Sequence, residues 1–232
     1  MRKVVAKING VNTSDGAAFS SRKLTVSDVT SGGTTAMEIR SATNGSGRLY
    51  FTDSTSSSDA GSYAGKVYYD HPTDHMAFYT GGSTNTPAER MKIDAYGRVT
   101  KPSQPLFVAQ KSAAITGSGF VICNTIIENV GSYYNGSDGK FTAPVAGYYW
   151  FCMKINAYKR IDFFLRRNGS NSGSANREIG QFNTSNQDGW YSHNLVRIFE
   201  LSANDYVQCW VNSITQNSDP GEWITFQGYL LQ

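Results

Sequence analysis

Apolar and polar residues alternate in short, strand-length runs along the whole chain. In the first part these runs are Val4–Ile8, Arg22–Val26, Ala36–Arg40, Gly47–Thr52, Gly65–Tyr69, Met76–Thr80 and Glu89–Asp94. Glycine, asparagine, aspartate and serine fill the gaps, and Ala95–Val99 closes the series with a turn at Gly97. Alternation of period two between such residues predicts β-strands. The second part has longer and richer runs: Leu106–Gln110, Gly119–Cys123, Asp138–Phe151 running on to Ile155, Arg160–Leu165, Asn194–Leu201, Asp205–Val211 and Trp223–Leu231. Arg167, Asn168 and Gly169 form a hairpin-type turn after the fourth of these. Strands at roughly 8–12-residue spacing predict an antiparallel sandwich or jelly roll.

The two parts differ in more than strand length. All 4 Trp and all 3 Cys of the 232 residues lie after residue 104. The segment Lys101–Pro105 carries two prolines and no apolar pattern, which makes it a linker. The small strands before it bury too little apolar area to stand alone, so partner chains are expected to complete their core. Composition changes the picture only by exclusion. Aromatics at 13% argue against a disordered chain, and no apolar run approaches the ~20 residues of a membrane helix. The net charge of +3, from 21 basic and 18 acidic groups, is too scattered for a nucleic-acid binder. The first ten residues have no hydrophobic stretch of signal-peptide type. Cys123, Cys152 and Cys209 show no paired metal spacing and are read as small free hydrophobes, with a Cys152–Cys209 bridge as the alternative.

The runs "RLYFTD", "GKVYYDHPTDHMAFYT" and "ERMKIDAYGRV" resemble the shaft modules of bacteriophage tail fibres, over residues 34–100. That resemblance implies a homotrimeric shaft in which three chains share sheets. Glu89, Arg90 and Asp94 are then either strand-end surface charges or inter-chain salt bridges.

Residues Tyr134–Phe151 resemble the signature "Y-x-x-x-x-G-x-F-x-x-P-x-x-G-x-Y-x-F" of C1q-like heads. Leu165, Asn168 and Gly169 fit that family's "L-x-x-N-G", Leu201–Val207 fits "L-x-x-G-D-x-V" with Asn204 in place of glycine, and Phe226–Leu231 fits "F-x-G-x-L-L". The resemblance implies a ten-stranded jelly roll, related in shape to tumour necrosis factor heads, that assembles as a homotrimer. The whole chain is thus expected to be all-β. It divides into an N-terminal β segment for attachment (1–33), a shaft module (34–100), a linker (101–104) and a head (105–232). Tyr148 and Trp150 point to one face of their strand, Tyr149 and Phe151 to the other. One face fills the sandwich, and the other is too aromatic for open water. Tyr149, Phe151, Phe226 and Leu230 are assigned to the trimer interface.

Catalytic chemistry is not suggested. His71 and His75 have i, i+4 spacing, but Pro72 opposes a helix there and no third ligand is near. The acidic candidates for a glycosidase pair, Asp162, Asp188, Asp219 and Glu222, show no spacing that selects two of them. Calcium at Asp188 or Asp219 has no supporting acidic run, and no other cofactor is expected. The remaining surface is two loops, 183–193 and 216–223, that mix amides and acids with tryptophan. Amides and carboxylates bond sugar hydroxyls, and indoles stack on pyranose rings. Asn186, Asp188, Trp190, Tyr191, His193 and Trp223 are therefore the candidate receptor contacts. The plainer alternative is that Tyr191 and Trp223 begin strands and pack inward. The function expected is a virion tail-fibre protein. It joins a tail protein through its N-terminus and adheres to a host surface glycan or protein through its head, with no nucleic-acid or membrane partner. A structural spacer capped by the head, or a depolymerase, are the alternatives.

Overall fold

A computed structural model describes residues 39–51, 64–81, 87–158, 160–170, 177–182 (backbone only), 189–214 and 218–232. The expected strands Val4–Ile8 and Arg22–Val26, the 1–33 segment, and Asn186 and Asp188 lie outside these residues. Every regular element among the described residues is a strand.

The first five strands are β1 (Ser46–Phe51), β2 (Gly65–Asp70), β3 (His75–Thr80), β4 (Ala88–Ile93) and β5 (Val99–Thr100). They form an antiparallel meander in sequence order. Local polar chemistry shapes its turns. Asp94 Oδ1 accepts from the amides of Tyr96 at 2.9 Å and Arg98 at 3.0 Å, while Gly97 takes φ 78° and Arg98 Nε donates to Asp94 Oδ2 at 2.7 Å. Those bonds hold the Asp94 carboxyl below the usual carboxylate range, the backbone amide of Arg98 contributing most. Asp94 is thus a turn staple within one chain. Glu89 accepts from the Tyr79 hydroxyl, and Arg90 donates to Thr80 and Ser103. Lys66 Nζ sits 4.0 Å from the Tyr79 ring centroid and 5.1 Å from that of Tyr68. Among its described residues the meander has almost no interior. Ala77 is buried, while Leu49, Tyr50, Phe51, Met76 and Val99 are exposed.

The head is built from β6 (Leu106–Lys111), β7 (Gly119–Phe120), β8 (Thr125–Val130), β9 (Tyr134–Asn135), β10 (Lys140–Thr142) and β11 (Gly147–Tyr158). It continues through β12 (Ile161–Arg167), β13 (Arg177–Phe182), β14 (Trp190–Leu201), β15 (Tyr206–Ile214) and β16 (Gly221–Leu230). One sheet runs β13-β12-β15-β10-β9 with β7 on β15; the other runs β14-β11-β16-β6-β8. The expected run Asp138–Ile155 is therefore two strands, broken at Pro144. The strands β8, β9 and β13 were not expected, β14 starts four residues earlier than Asn194, and the described residues of the head hold eleven strands where ten were expected.

The two sheets face one another across an aromatic core. Phe107 stacks on Tyr134 (centroids 4.6 Å, planes 3°) and on Phe141 (5.1 Å), with Phe226 edge-on at 4.9 Å. Two buried hydroxyls find carbonyls: Tyr134 donates to Cys123 O at 2.9 Å and Tyr149 to Val145 O at 2.8 Å. The two family turn motifs meet physically. Asn168 Oδ1 accepts from Tyr206 N at 2.9 Å, and Asn168 Nδ2 donates to Asp205 Oδ1 at 2.7 Å. Asn204 adopts φ 71°, which asparagine tolerates.

The structure corrects the interface assignment. Tyr149, Phe151 and Phe226 are 0% exposed inside a single chain, and Leu230 is half-buried against the same core. The later residues of β11 fix which way each face turns: Met153 and Ile155 share the Tyr149–Phe151 face, while Lys154 shares the Tyr148–Trp150 face. A lysine stem reaches water and methionine with isoleucine does not, so Tyr149 and Phe151 turn inward. The three cysteines are free thiols. Cys123 and Cys209 are buried, with burial pushing Cys123 up to about 12, and Cys152 lies half-buried on the outward side of β11. Cys152 and Cys209 stand on different sheets and do not bridge.

Candidate binding face of the head

The outward face of the sheet β14-β11-β16-β6-β8 divides into two regions. Strand register gives its rows: Tyr148 opposite Glu200, Trp150 opposite Ile198 and Tyr229, Cys152 opposite Val196 and Gln227, Lys154 opposite Asn194 and Thr225. The first region is apolar and lies at the linker end, where Leu230 N donates to Pro105 O and Tyr148 N to Gln232 O. Tyr148, Val196, Ile198, Tyr229 and Leu106 are exposed there, and Trp150 packs on Tyr229 with centroids 5.3 Å apart. An uncovered apolar band of this extent marks a contact surface.

The second region is aromatic and polar and lies at the opposite end of the sheet. Trp190 is 49% exposed and meets Tyr158 edge-on, centroids 5.6 Å apart. Trp223 is 43% exposed, with Lys154 Nζ 5.1 Å from its ring centroid. Between them Asn156, 6% exposed, donates from Nδ2 to Asp219 Oδ2 at 3.0 Å, and Asp219 N donates to Asn156 O at 3.1 Å. Ser218 fixes the loop that carries Asp219. Its Oγ accepts from Ile115 N at 2.6 Å, and its amide donates to Ile115 O at 3.1 Å.

The expected receptor cluster is therefore rearranged. Residues 190–193 belong to a strand, so their side chains alternate between faces. Trp190 faces outward; Tyr191 is half-buried, and His193 is 7% exposed on the inward side with Leu195 and Phe199. His193 leaves the candidate site. Trp223 does not pack inward but stands exposed beside Asn156. Tyr158, Lys154 and Asn156 were missed by the sequence reading. Their signal is the Lys154–Asn156–Tyr158 alternation, which marks one outward polar row.

Burial lowers the His193 pKa from its ordinary 6.5. Protons then bind the unfolded chain more readily than the folded one between that lowered value and 6.5. Stability from this group is complete above 6.5 and is lost as pH falls through the window. The melting temperature should fall on acidification from pH 7, before the carboxylates titrate, and His193→Gln should flatten that part of the profile. An unchanged slope in the variant would remove His193 from the acid response.

Among the described residues the candidate carboxylates do not gather. Asp162 is buried, bonded by Arg160 Nη2 at 2.7 Å and by Ser213 Oγ at 2.8 Å. Asp219 is held by Asn156, and Glu222 is exposed. His75 bonds Thr73, and the His71 ring packs on Tyr69. Among the described residues no three His, Cys, Asp or Glu side chains converge as metal ligands.

Residues 106–231 match the C1q domain. Similar solved structures include the globular domain of zebrafish complement 1qA protein, 16% identical with a TM-score of 0.46 over 56% of this chain and 98% of that one. Murine APRIL is another, 10% identical with a TM-score of 0.42 over 55% of this chain and 99% of that one. With two antiparallel sheets, the four ordered motifs and the family match over the same residues, the chain belongs to the C1q domain family.

Proposed function

We propose that this is a homotrimeric attachment protein of the phage tail-fibre type, its β shaft carrying a C1q-like head that adheres to a host surface receptor. The observation that carries the reading is the apolar band Tyr148, Trp150, Val196, Ile198 and Tyr229. The sandwich of one chain already has a complete core, so these side chains serve contact with other chains. Domains of this family are typically non-enzymatic binding modules and commonly form homotrimers. The tail-fibre part rests on the shaft. Its residue pattern resembles phage shaft modules, and its exposed Leu49, Phe51 and Met76 suit a sheet that shares its core with other copies. Placement in a virion, with the N-terminus on a tail protein, follows from that same resemblance.

Light scattering of the full chain should give about three times its 25.4 kDa mass. Val196→Glu with Ile198→Glu should give monomers whose heads remain folded, since charges buried at a symmetric contact repel and lose their water. A monomeric wild type would overturn the assembly. Labelled trimer should adsorb to some strain in a bacterial panel and be displaced by unlabelled trimer. A trimer that adsorbs to none would favour the second reading, a spacer whose head serves only to trimerise the chains.

A further inference from the structure

We propose that the end of the β14-β11-β16 sheet face farthest from the linker is a subsite for a neutral hexopyranose glycan. This deepens the attachment reading and rests on it. The site has three parts on adjacent strands: the Trp190–Tyr158 pair, the Asn156–Asp219 pair and the Lys154–Trp223 pair. Adjacent strands lie about 4.8 Å apart, so β14 and β16, which carry the two indoles, are about 10 Å apart across β11. A short oligosaccharide spans that distance.

Each part matches one feature of such a ligand. Indole faces take the apolar C–H face of a pyranose ring, which water solvates poorly. Asp219 lies half-buried between them and offers its carboxylate to ring hydroxyls, while the buried Asn156 holds that carboxylate in place. Their geometry is fixed before any ligand arrives, because Asp219 is bonded to Asn156 through both its side chain and its amide, and Ser218 is tied to Ile115. A site already ordered loses little entropy on binding. The charge favours neutral sugars over polyanions. Among the described residues of the cluster Lys154 is the cation, held over Trp223, while Asp219 and exposed Glu222 stand on the other side of the balance.

The subsite is compatible with trimers formed through the same face. The apolar band ends at the Cys152 row, and the next row is Lys154, Asn194 and Thr225. Burying Lys154 in a dry contact would strip its water, so chain-to-chain packing should stop before that row.

The test uses the full-length trimer and soluble oligomers of glucose, galactose and N-acetylglucosamine. Saturation-transfer NMR and tryptophan emission should report saturable binding of at least one of them. Trp190→Ala with Trp223→Ala should weaken it about tenfold or more for two lost stacking contacts, whereas Trp190→Tyr with Trp223→Tyr should retain most of it. Light scattering and melting temperature should be unchanged in both variants. The inference is overturned by an alanine variant that binds equally, by a panel in which no sugar binds, or by a variant that loses its trimer. Cell adsorption retained by the alanine variant would also overturn it and leave the attachment reading standing. Failure of the wild-type trimer to adsorb to any strain counts against the attachment reading instead.

Discussion

Phe151→Ala should lower the stability of the head by about 3–5 kcal/mol. The ring is fully buried and touches most of the aromatic core: Phe141 edge-on at 5.4 Å, Phe199 at 6.1 Å and Phe226 at 6.0 Å. These neighbours belong to both sheets, and their strands cannot close over the void by moving independently. The same truncation at Tyr148, 41% exposed, should leave the fold standing and act on assembly alone. Denaturant unfolding in the monomeric Val196→Glu, Ile198→Glu background separates the two effects. Equal losses at Phe151 and Tyr148 would show that the facing of β11 is wrong.

That contrast also shows where sequence reading reached its limit. Alternation fixes that Tyr149 and Phe151 share a face, but alternation alone is symmetric. A strand of four consecutive aromatics gives no polar residue to break the tie within Tyr148–Phe151. The tie breaks downstream, at Met153, Lys154 and Ile155, and reading the whole of β11 as one strand resolves it. The strands β1 to β4 were legible almost to the residue, because turn-forming residues flank each of them, but the expected strand Ala36–Arg40 is not one at its described residues, 39 and 40. The strand β8 was not, because "TIIENV" mixes isoleucine with polar groups and its side chains are largely exposed on an edge. The candidate site was half legible. Trp190 and Trp223 were found from composition, but their partners Tyr158, Lys154, Asn156 and Asp219 meet only through the β11–β14 and β11–β16 pairings. Sequence separation hides such meetings: Asn156 and Asp219 are 63 residues apart. His193 shows the opposite error. Nearness in sequence to Trp190 suggested a shared surface, and a strand places neighbours three apart on opposite faces.

Gly228→Ala should destabilise the head at or beyond the upper end of the about 1–3 kcal/mol typical of overpacking. Gly228 pairs with Phe151 on one neighbouring strand and with Phe107 on the other. A Cβ there would lie 2.5 Å from Phe151 Cδ1 and 2.9 Å from Phe107 Cε1, closer than carbon atoms approach. Neither ring can swing to solvent, since both are fully buried, and Phe107 is itself wedged between Tyr134 and Phe141. This is the physical content of the glycine in the closing "F-x-G-x-L-L" motif: it makes room for two core rings. Gly97→Ala provides the contrast. It has φ 78° but nothing within 4 Å of its would-be Cβ, so it should lose only about 1–2 kcal/mol of backbone strain. A double-mutant cycle decides whether the ring clash is the cause. Phe151→Val removes Cδ1 and the ring atoms beyond it, so Gly228→Ala should be less damaging in that background, with a coupling of about 0.5–3 kcal/mol. Strictly additive losses would mean that the glycine is required for backbone conformation and not for the space it leaves to Phe151.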